Sequence, residues 1–359
     1  MIKYLGSKRA LLPWILQVVD RLVGVGALRS ALDPFSGSAR VAHALKARGF
    51  QVIAGDYANY AYILAKALVE SDARVYSPER LNPILDYLNS LPGEEGWFTE
   101  NYAYRARFFQ PFNAARIERI RREIDVVSEG DERLRAILLT SLMLASDKVD
   151  STTGIQMAFL KKWAPRSYNP LHLEYPPLLP GEGTALIDDA IDIVKEHEVD
   201  LLYLDPPYNQ HSYLANYHIW ETLVLFDAPT CYGVAQKRSD VQTRKSPFNS
   251  RREAKAALRN IIYNARAKVI LLSFNNEGFH TEEELLGIAR EKGYVVVLRH
   301  LYKRYVGAQI GIYNPKGEKV GKVSHLKNEE LLFLISQDKR FIEKLNYKIS
   351  DRPIQDTLL

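Results

Sequence analysis

The sequence predicts an α/β fold, a mostly parallel sheet with helices on both faces. Three observations carry that expectation. Short apolar runs alternate with segments of helical spacing, the pattern of a parallel sheet wrapped by helices. Three of those runs end in an acid (Asp33, Asp56 and Asp205), and an acidic pair, Asp188-Asp189, follows a fourth. Ligands of such sheets bind outside the carboxyl ends of the strands, so a row of acids there marks a binding edge. Finally, 359 residues with 47% apolar content suffice for one large domain or two.

Taken in order, the first twenty residues, MIKYLGSKRALLPWILQVVD, are basic and then apolar. Pro13, Asp20 and Arg21 interrupt them and no small-residue cleavage site follows, so they read as part of the mature fold. Ala31-Leu32 is a short strand closing on Asp33. Ala39 to Arg48 is helical, and Gly49 stops it. Gln51 to Ala54 is a second strand ending at Gly55-Asp56, with a helix through about Glu70. Beyond Ser71 the pattern changes. Residues 79–147 are mostly helical, with a loop at 92–96, and 148–183 are irregular and rich in Pro, Tyr and Lys. Alternation then resumes, with a strand at 184–187, a helix at 190–196 and a strand at 201–204. Strands at 269–273 and 295–298 flank a helix at 281–292, and the last strand is 331–335. The expected organisation is a sheet domain from residues 1–71 and 184–359, with 72–183 inserted as a mainly helical domain.

Composition narrows the function. A net charge of +5 permits a nucleic acid partner. The one cysteine, Cys231, allows no disulfide within the chain and no Cys-clustered zinc site, and fits a reducing cytoplasm. No apolar run approaches the ~20 residues that span a bilayer. No His-rich metal spacing exists, so no metal is expected.

Two stretches carry chemistry. Asp33-Pro34-Phe35-Ser36-Gly37-Ser38-Ala39-Arg40 runs from a strand through an acid and a small-residue turn into a helix. Gly37 lets the backbone approach a ligand closely. A pyrophosphate needs more glycines at a helix N-terminus, whereas a ligand without phosphates, such as S-adenosylmethionine, does not. Asp56 is placed to accept from ribose hydroxyls, and Asp188 or Asp189 to read an adenine amino group. For each acid the plain alternative is a helix cap.

The second stretch is Leu201-Leu202-Tyr203-Leu204-Asp205-Pro206-Pro207-Tyr208. Two prolines contribute no backbone N–H, so the site presents acceptors and few donors. That suits a substrate group that only donates, an exocyclic amine. Asp205 and the Pro206 carbonyl can each take one N–H, freeing the nitrogen lone pair for attack on a sulfonium methyl. Asp205 also stabilises the positive charge developing on nitrogen. Tyr208 would stack on the base, a contact of roughly 1–3 kcal/mol, against the few kcal/mol needed to flip a base. The alternative is a proline-rich turn after a strand.

On these motifs the chain resembles the Dam-like, α-type adenine-N6 DNA methyltransferases. Asp205-Pro206-Pro207-Tyr208 matches the family's catalytic D-P-P-Y, and Asp33 to Ala39 resembles its D/E-P-F-x-G-x-G cofactor loop, with Ala39 replacing the second glycine. Lys3-Tyr4-Leu5-Gly6-Ser7-Lys8-Arg9 is similar to the segment that folds over the methionine part of the cofactor. Residues 208–222 and 272–279 are similar to later loops of restriction-modification members. The resemblance implies a Rossmann-like S-adenosylmethionine-dependent methyltransferase fold with an inserted target-recognition domain. It implies catalysis by Asp205, Pro206, Pro207 and Tyr208. It implies S-adenosylmethionine binding, with S-adenosylhomocysteine as product, by Tyr4, Gly6, Lys8, Asp33, Phe35, Gly37, Asp56, Asp188, Asp189 and Asp205.

Double-stranded DNA is the expected substrate. Within 237–259, Lys237, Arg238, Arg244, Lys245, Arg251, Arg252, Lys255 and Arg259 face only Asp240 and Glu253, as phosphate contact requires. Arg105, Arg107, Arg116, Arg119, Arg121 and Arg122, facing Glu118 and Glu123, form a second basic stretch; for Arg119 to Arg122 a solvated helix face is the alternative. Ser151 to Trp163, including Gln156, Lys161 and Lys162, is the candidate for base reading or strand separation. His211, Tyr213, Asn216, Tyr217 and His218 are expected to line the flipped-base channel. The expected setting is a restriction-modification system with a cognate restriction endonuclease as partner, an orphan or phage-encoded role fitting the residues equally well, and the enzyme is expected to be a monomer. Rival readings are an RNA exocyclic-amine methyltransferase and a non-catalytic DNA-binding subunit on the same scaffold.

Overall fold

The computed structural model describes residues 1–275, 278–303, 312–313, 319–321 and 327–346. Asn276 and Glu277, part of the 272–279 segment, lie outside them. In chain order the strands are β1 (Ser30–Asp33), β2 (Gln51–Asp56), β3 (Thr184–Ile187), β4 (Glu198–Leu204), β5 (Cys231–Tyr232), β6 (Lys237–Arg238), β7 (Arg266–Asn275), β8 (Tyr294–Lys303), β9 (Ile312–Tyr313), β10 (Lys319–Gly321) and β11 (Lys327–Ser336). Seven form one sheet in the order β3-β2-β1-β4-β7-β11-β8. All run parallel except β11, which is antiparallel to both neighbours. Strand order reverses between β1 and β4, which pair directly. That reversal opens a crevice at their carboxyl ends, where Asp33 and Asp205 emerge.

The helices are α1 (Leu12–Val23), α2 (Arg40–Lys46), α3 (Asn59–Ala65), α4 (Pro78–Ser90), α5 (Trp97–Thr99), α6 (Pro111–Val127), α7 (Glu132–Val149), α8 (Ala190–Glu196), α9 (Tyr213–Asn216), α10 (His218–Leu225), α11 (Ala254–Asn264), α12 (Glu282–Arg290) and α13 (Lys339–Asn346). Local chemistry sets several ends. Pro13 occupies the first turn of α1, where no hydrogen bond is lost. Asp131 accepts from the Leu134 N–H to start α7, and Thr281 and Glu284 form a reciprocal cap on α12. The expected helix after β2 is α3 followed by a π-helical turn, Lys66–Glu70.

The pleat sorts the strand residues between two cores. Leu201, Tyr203, Val269, Leu271, Leu332 and Leu334 face one side, packed against α1–α4, α6, α7, α10 and α13. Leu202, Leu204, Ile270, Leu272, Leu331 and Phe333 face the other, against α8, α11 and α12. Strands buried on both faces read as continuous apolar runs, which is why LLYL, VILLS and LLFLI are visible in the sequence. Apolar side chains of 72–183, among them Leu81, Phe98, Ile117 and Ile137, join the first core. No helix among the described residues is long and apolar enough to cross a membrane.

Candidate active site

A cleft enclosing about 790 Å³ of solvent-open space lies at the crevice between β1 and β4. Its walls come from separate elements. The N-terminal segment gives Tyr4 and Gly6, the turn after β1 gives Pro34 and Phe35, and β2 and the start of α3 give Asp56, Tyr57, Ala58 and Tyr60. Asp189 and Ala190 flank one side, Asp205, Pro207 and Tyr213 another, and Lys245, Ser246 and Phe248 complete it. Asp56 binds its surroundings through both oxygens. Oδ2 accepts from the Gly37 N–H at 2.9 Å and Oδ1 from the Ala58 N–H at 3.0 Å. Burial raises its carboxyl to about 6 against those two hydrogen bonds. Gly37 (φ +49°) and Gly6 (φ +70°) take left-handed backbone under aromatic cover. A Cβ on Gly37 would stand 2.8 Å from the Tyr4 hydroxyl, and one on Gly6 2.8 Å from that of Tyr213. Tyr4 stacks between the rings of Tyr213 and Tyr217, with centroids 5.3 and 4.7 Å away. The Leu5 N–H donates to the Tyr217 hydroxyl. The N-terminal segment is thus fastened over the cleft.

Asp205 leaves β4 on the same face as Tyr203, because side chains alternate along a strand. It is half-buried, and burial raises its carboxyl to about 6, with the Lys8 ammonium opposing and Glu330 adding to the rise. The Lys8 Nζ lies 2.9 Å from Asp205 Oδ1 and 2.7 Å from Glu330 Oε1. Tyr208 is half-buried, with its ring centroid 5.8 Å from that of Phe274 and its carbonyl accepting from the Phe279 N–H at 2.8 Å. Asp33 is buried beneath the cleft, with no partner for Oδ1 among the described residues. Burial and then the Asp205 charge push its carboxyl up to about 8.

The family model of the D12 class N6 adenine-specific DNA methyltransferases matches residues 4–285. The chain belongs to this family. It is similar to the modification methylase StsI of Streptococcus sanguinis, 30% identical over 85% of this chain and 49% of that protein. The type II methyltransferase M.FokI of Planomicrobium okeanokoites is 30% identical over 84% of this chain and 48% of its own length. The type II methyltransferase M.NlaIII of Neisseria lactamica is 27% identical over 95% of this chain and 100% of its own length. The chain therefore spans about half the length of the first two relatives and the whole of the third.

Against this D12 assignment, the residues singled out in the sequence divide. Tyr4, Gly6, Phe35, Asp56, Asp189, Asp205, Pro207, Tyr213 and Lys245 line the cleft together. Asp189 also caps α8 through the Ile191 N–H at 2.9 Å, so lining and capping coexist in one carboxylate. Asp188 is exposed and outside the lining, its oxygen turned to the Asp189 N–H. Asp33, Gly37 and Lys8 stand behind the wall rather than in it. Lys8 in particular is held between two carboxylates. Pro206 backs a separate small crevice with Phe274 and His280.

Several expected DNA contacts are corrected. The Arg238 side chain is only 4% exposed, and its guanidinium reaches Asp227 at 2.7 and 2.8 Å and Asp240 at 3.0 and 3.2 Å, leaving no face for a phosphate. Arg244 donates to Glu221 and to the Tyr57 carbonyl, bracing the cleft wall. Lys237 is half-buried, which lowers its pKa. Asn216, Tyr217 and His218 are buried and line no open channel. Asn216 and His218 bond the backbone of Gln156, whose side chain accepts from the Ile219 N–H, so Gln156 is not free to read a base. In 105–123, Arg121 is buried against the Leu223 and Val224 carbonyls, Arg116 bonds backbone, and Arg119 and Arg122 pair with acids. Exposed cations remain at Lys161, Lys162, Lys245, Arg251 and Arg252, and His211 is exposed too. Arg107 lies 4.6 Å over the Trp163 ring.

Sequence reading missed Tyr57, Tyr60, Ser246, Phe248, Glu221 and Glu330. Phe248 sits in a short loop turn with no periodicity to flag it. Glu330 had one legible signal, an acid opening the apolar run LLFLI. Among the described residues no group of His, Cys, Asp and Glu is arranged to hold a metal.

Proposed function

We propose that this chain methylates the N6 amine of adenine in double-stranded DNA at a specific sequence, using S-adenosylmethionine and a flipped base. The observation that carries the reading is that Asp205 and Pro207, of the run Asp205-Pro206-Pro207-Tyr208, line a cleft at the strand-order reversal, in a chain of the D12 family. The cleft suits this cofactor. Two acids of its lining, Asp56 and Asp189, match hydroxyl and amino donors, and its one glycine turn under Tyr4 offers no pyrophosphate cradle. When bound, S-adenosylmethionine supplies an activated methyl group on a sulfonium.

The chain's own residues do the rest. Asp205 accepts one N–H of the adenine amine and the Pro206 carbonyl accepts the other, which draws the nitrogen towards tetrahedral geometry. The Asp205 carboxylate then stabilises the charge that builds on nitrogen, with no covalent enzyme intermediate. Tyr208 stacks on the base, and Tyr4 and Tyr213 keep water from the cleft. Lys245, Arg251 and Arg252 neutralise phosphates. Residues 72–183 supply target recognition, with Lys161 and Lys162 reaching the duplex. The setting we propose is a cytoplasmic restriction-modification system, with the methyltransferase a monomer alongside a cognate restriction endonuclease.

The test is incubation with isotopically labelled S-adenosylmethionine and either duplex DNA or RNA, followed by mass spectrometry of the nucleosides. Label in N6-methyladenine from duplex DNA is expected, and its loss in Asp205→Ala with DNA binding retained. Label confined to RNA, or none in either, overturns the reading.

A further inference from the structure

The reversed strand β11 delivers a second buried carboxylate to the catalytic edge. Because β11 runs against β7, its early residues lie beside the carboxyl ends of the parallel strands. Glu330 pairs in register with Asn275, the last residue of β7, and Leu332 with Ser273. Glu330 shares the face of Leu332, and hence that of Tyr203, Asp205 and Ser273. There it accepts from the Ser273 hydroxyl at 2.5 Å and from Lys8 Nζ at 2.7 Å, while Lys8 is 2.9 Å from Asp205. Lys8 and Glu330 side chains are 7% and 1% exposed, whereas Asp205 is 21% exposed. A buried ion is stable only when paired and hydrogen-bonded, and among the described residues this cluster holds two carboxylates and one ammonium.

We propose that Glu330 is a positioning residue for Asp205: by sharing Lys8 it keeps the cluster anionic and leaves Asp205, at the exposed end, free to accept from the substrate amine. Without Glu330, Lys8 would pair with Asp205 alone. The cluster would become neutral, and the developing ammonium would meet a carboxylate already satisfied by another cation. This inference rests on the N6-methyltransferase reading and deepens it. Among the described residues, the titratable groups facing Asp205 and Glu330 include Lys8 from the N-terminal segment, Asp33 from β1, Tyr203 from β4, Tyr208 and Tyr213 beyond it, and His300 from β8. None changes in the variants below.

The experiment compares wild type, Glu330→Gln and Glu330→Asp on duplex DNA with S-adenosylmethionine across pH, with melting and cofactor-binding curves for each. Glu330→Gln should lose roughly ten- to a hundredfold in kcat, by analogy with the loss when the outer partners that orient metal ligands are removed. KM values and cofactor affinity should stay near wild type. Removing a neighbouring negative charge lowers a carboxyl pKa, so the acidic limb of the kcat profile should move to lower pH. Glu330→Asp keeps the charge, so its limb should stay in place while kcat falls less. Wild-type kcat with an unmoved limb in Glu330→Gln, or a change confined to KM, overturns the proposal. Should Glu330→Gln lack a melting transition, Glu330→Asp decides: a lowered kcat supports the proposal and a wild-type kcat overturns it. A wild type that methylates no adenine overturns the underlying reading instead.

Discussion

Asp205 is the residue whose ionisation governs the proposed chemistry. Its carboxyl sits at about 6, raised chiefly by burial, and only the carboxylate can accept and stabilise the amine. The kcat of the wild-type enzyme should therefore be flat at neutral pH and fall as pH drops through about 6. A limb near the ordinary aspartate value would mean that another group titrates. Asp33 makes a stability prediction. Its pKa in the fold, about 8, lies above that of the unfolded chain, so the folded state binds the extra proton between those values. Its contribution is full below the unfolded pKa and disappears as pH rises through about 8. Asp33→Asn removes the titration. The Tm of wild type should thus decline relative to Asp33→Asn between pH 4 and 8, and parallel Tm curves would refute it. Ala39 adopts φ +57° at the second glycine position of the D/E-P-F-x-G-x-G pattern that the loop resembles. Left-handed backbone costs alanine about 1–2 kcal/mol, but the buried methyl contributes about 0.8 kcal/mol and glycine loses roughly 0.5–1 kcal/mol in entropy. These nearly cancel, so Ala39→Gly should melt within a degree or two of wild type, where about 1 kcal/mol moves Tm by a few degrees. Gly37→Ala meets the Tyr4 ring as well as the left-handed strain and should melt markedly lower.

At the scale of elements, the segment from Lys237 to Arg259 looks in sequence like one phosphate track, and the structure divides it. Arg238 and Arg244 are internal struts, Lys255 and Arg259 pair with acids of the neighbouring helix, and Arg251 and Arg252 stay exposed. Each phosphate that is no longer neutralised should flatten the dependence of log K on log salt by about 0.9. The double change Arg251→Ala with Arg252→Ala should therefore reduce that slope by nearly two such steps. Arg238→Ala should leave the slope alone and lower Tm, since it strands Asp227 and leaves Asp240 with Arg244; a changed slope in that variant would return it to the interface. Strands β1, β2 and β4 were legible because doubly buried strands read as apolar runs, and their terminal acids reached the crevice because strand ends decide where side chains emerge. Helix α11 was not, since its apolar stripe, Leu258, Ile261 and Ile262, hides among Lys, Arg and Asn.

For the whole molecule, what sequence could not disclose is closure over distance. Lys8 and Glu330 lie 322 residues apart, and nothing local says that β11 runs backwards between β7 and β8. Charge alone likewise cannot show that Arg238 already has Asp227. The merging of 72–183 with the core of the sheet predicts one cooperative unfolding transition by calorimetry, and a fragment of those residues alone should not fold. Two separate transitions would refute this. The column of Tyr213, Tyr4 and Tyr217, rings within 10° of parallel, has an optical consequence. Phenols held at such spacing couple their transition dipoles, so near-ultraviolet circular dichroism should carry a signature of this column. Its collapse on changing Tyr4→Leu, ahead of any loss of helical signal, would make it a built-in gauge of whether the amino-terminal strap is seated.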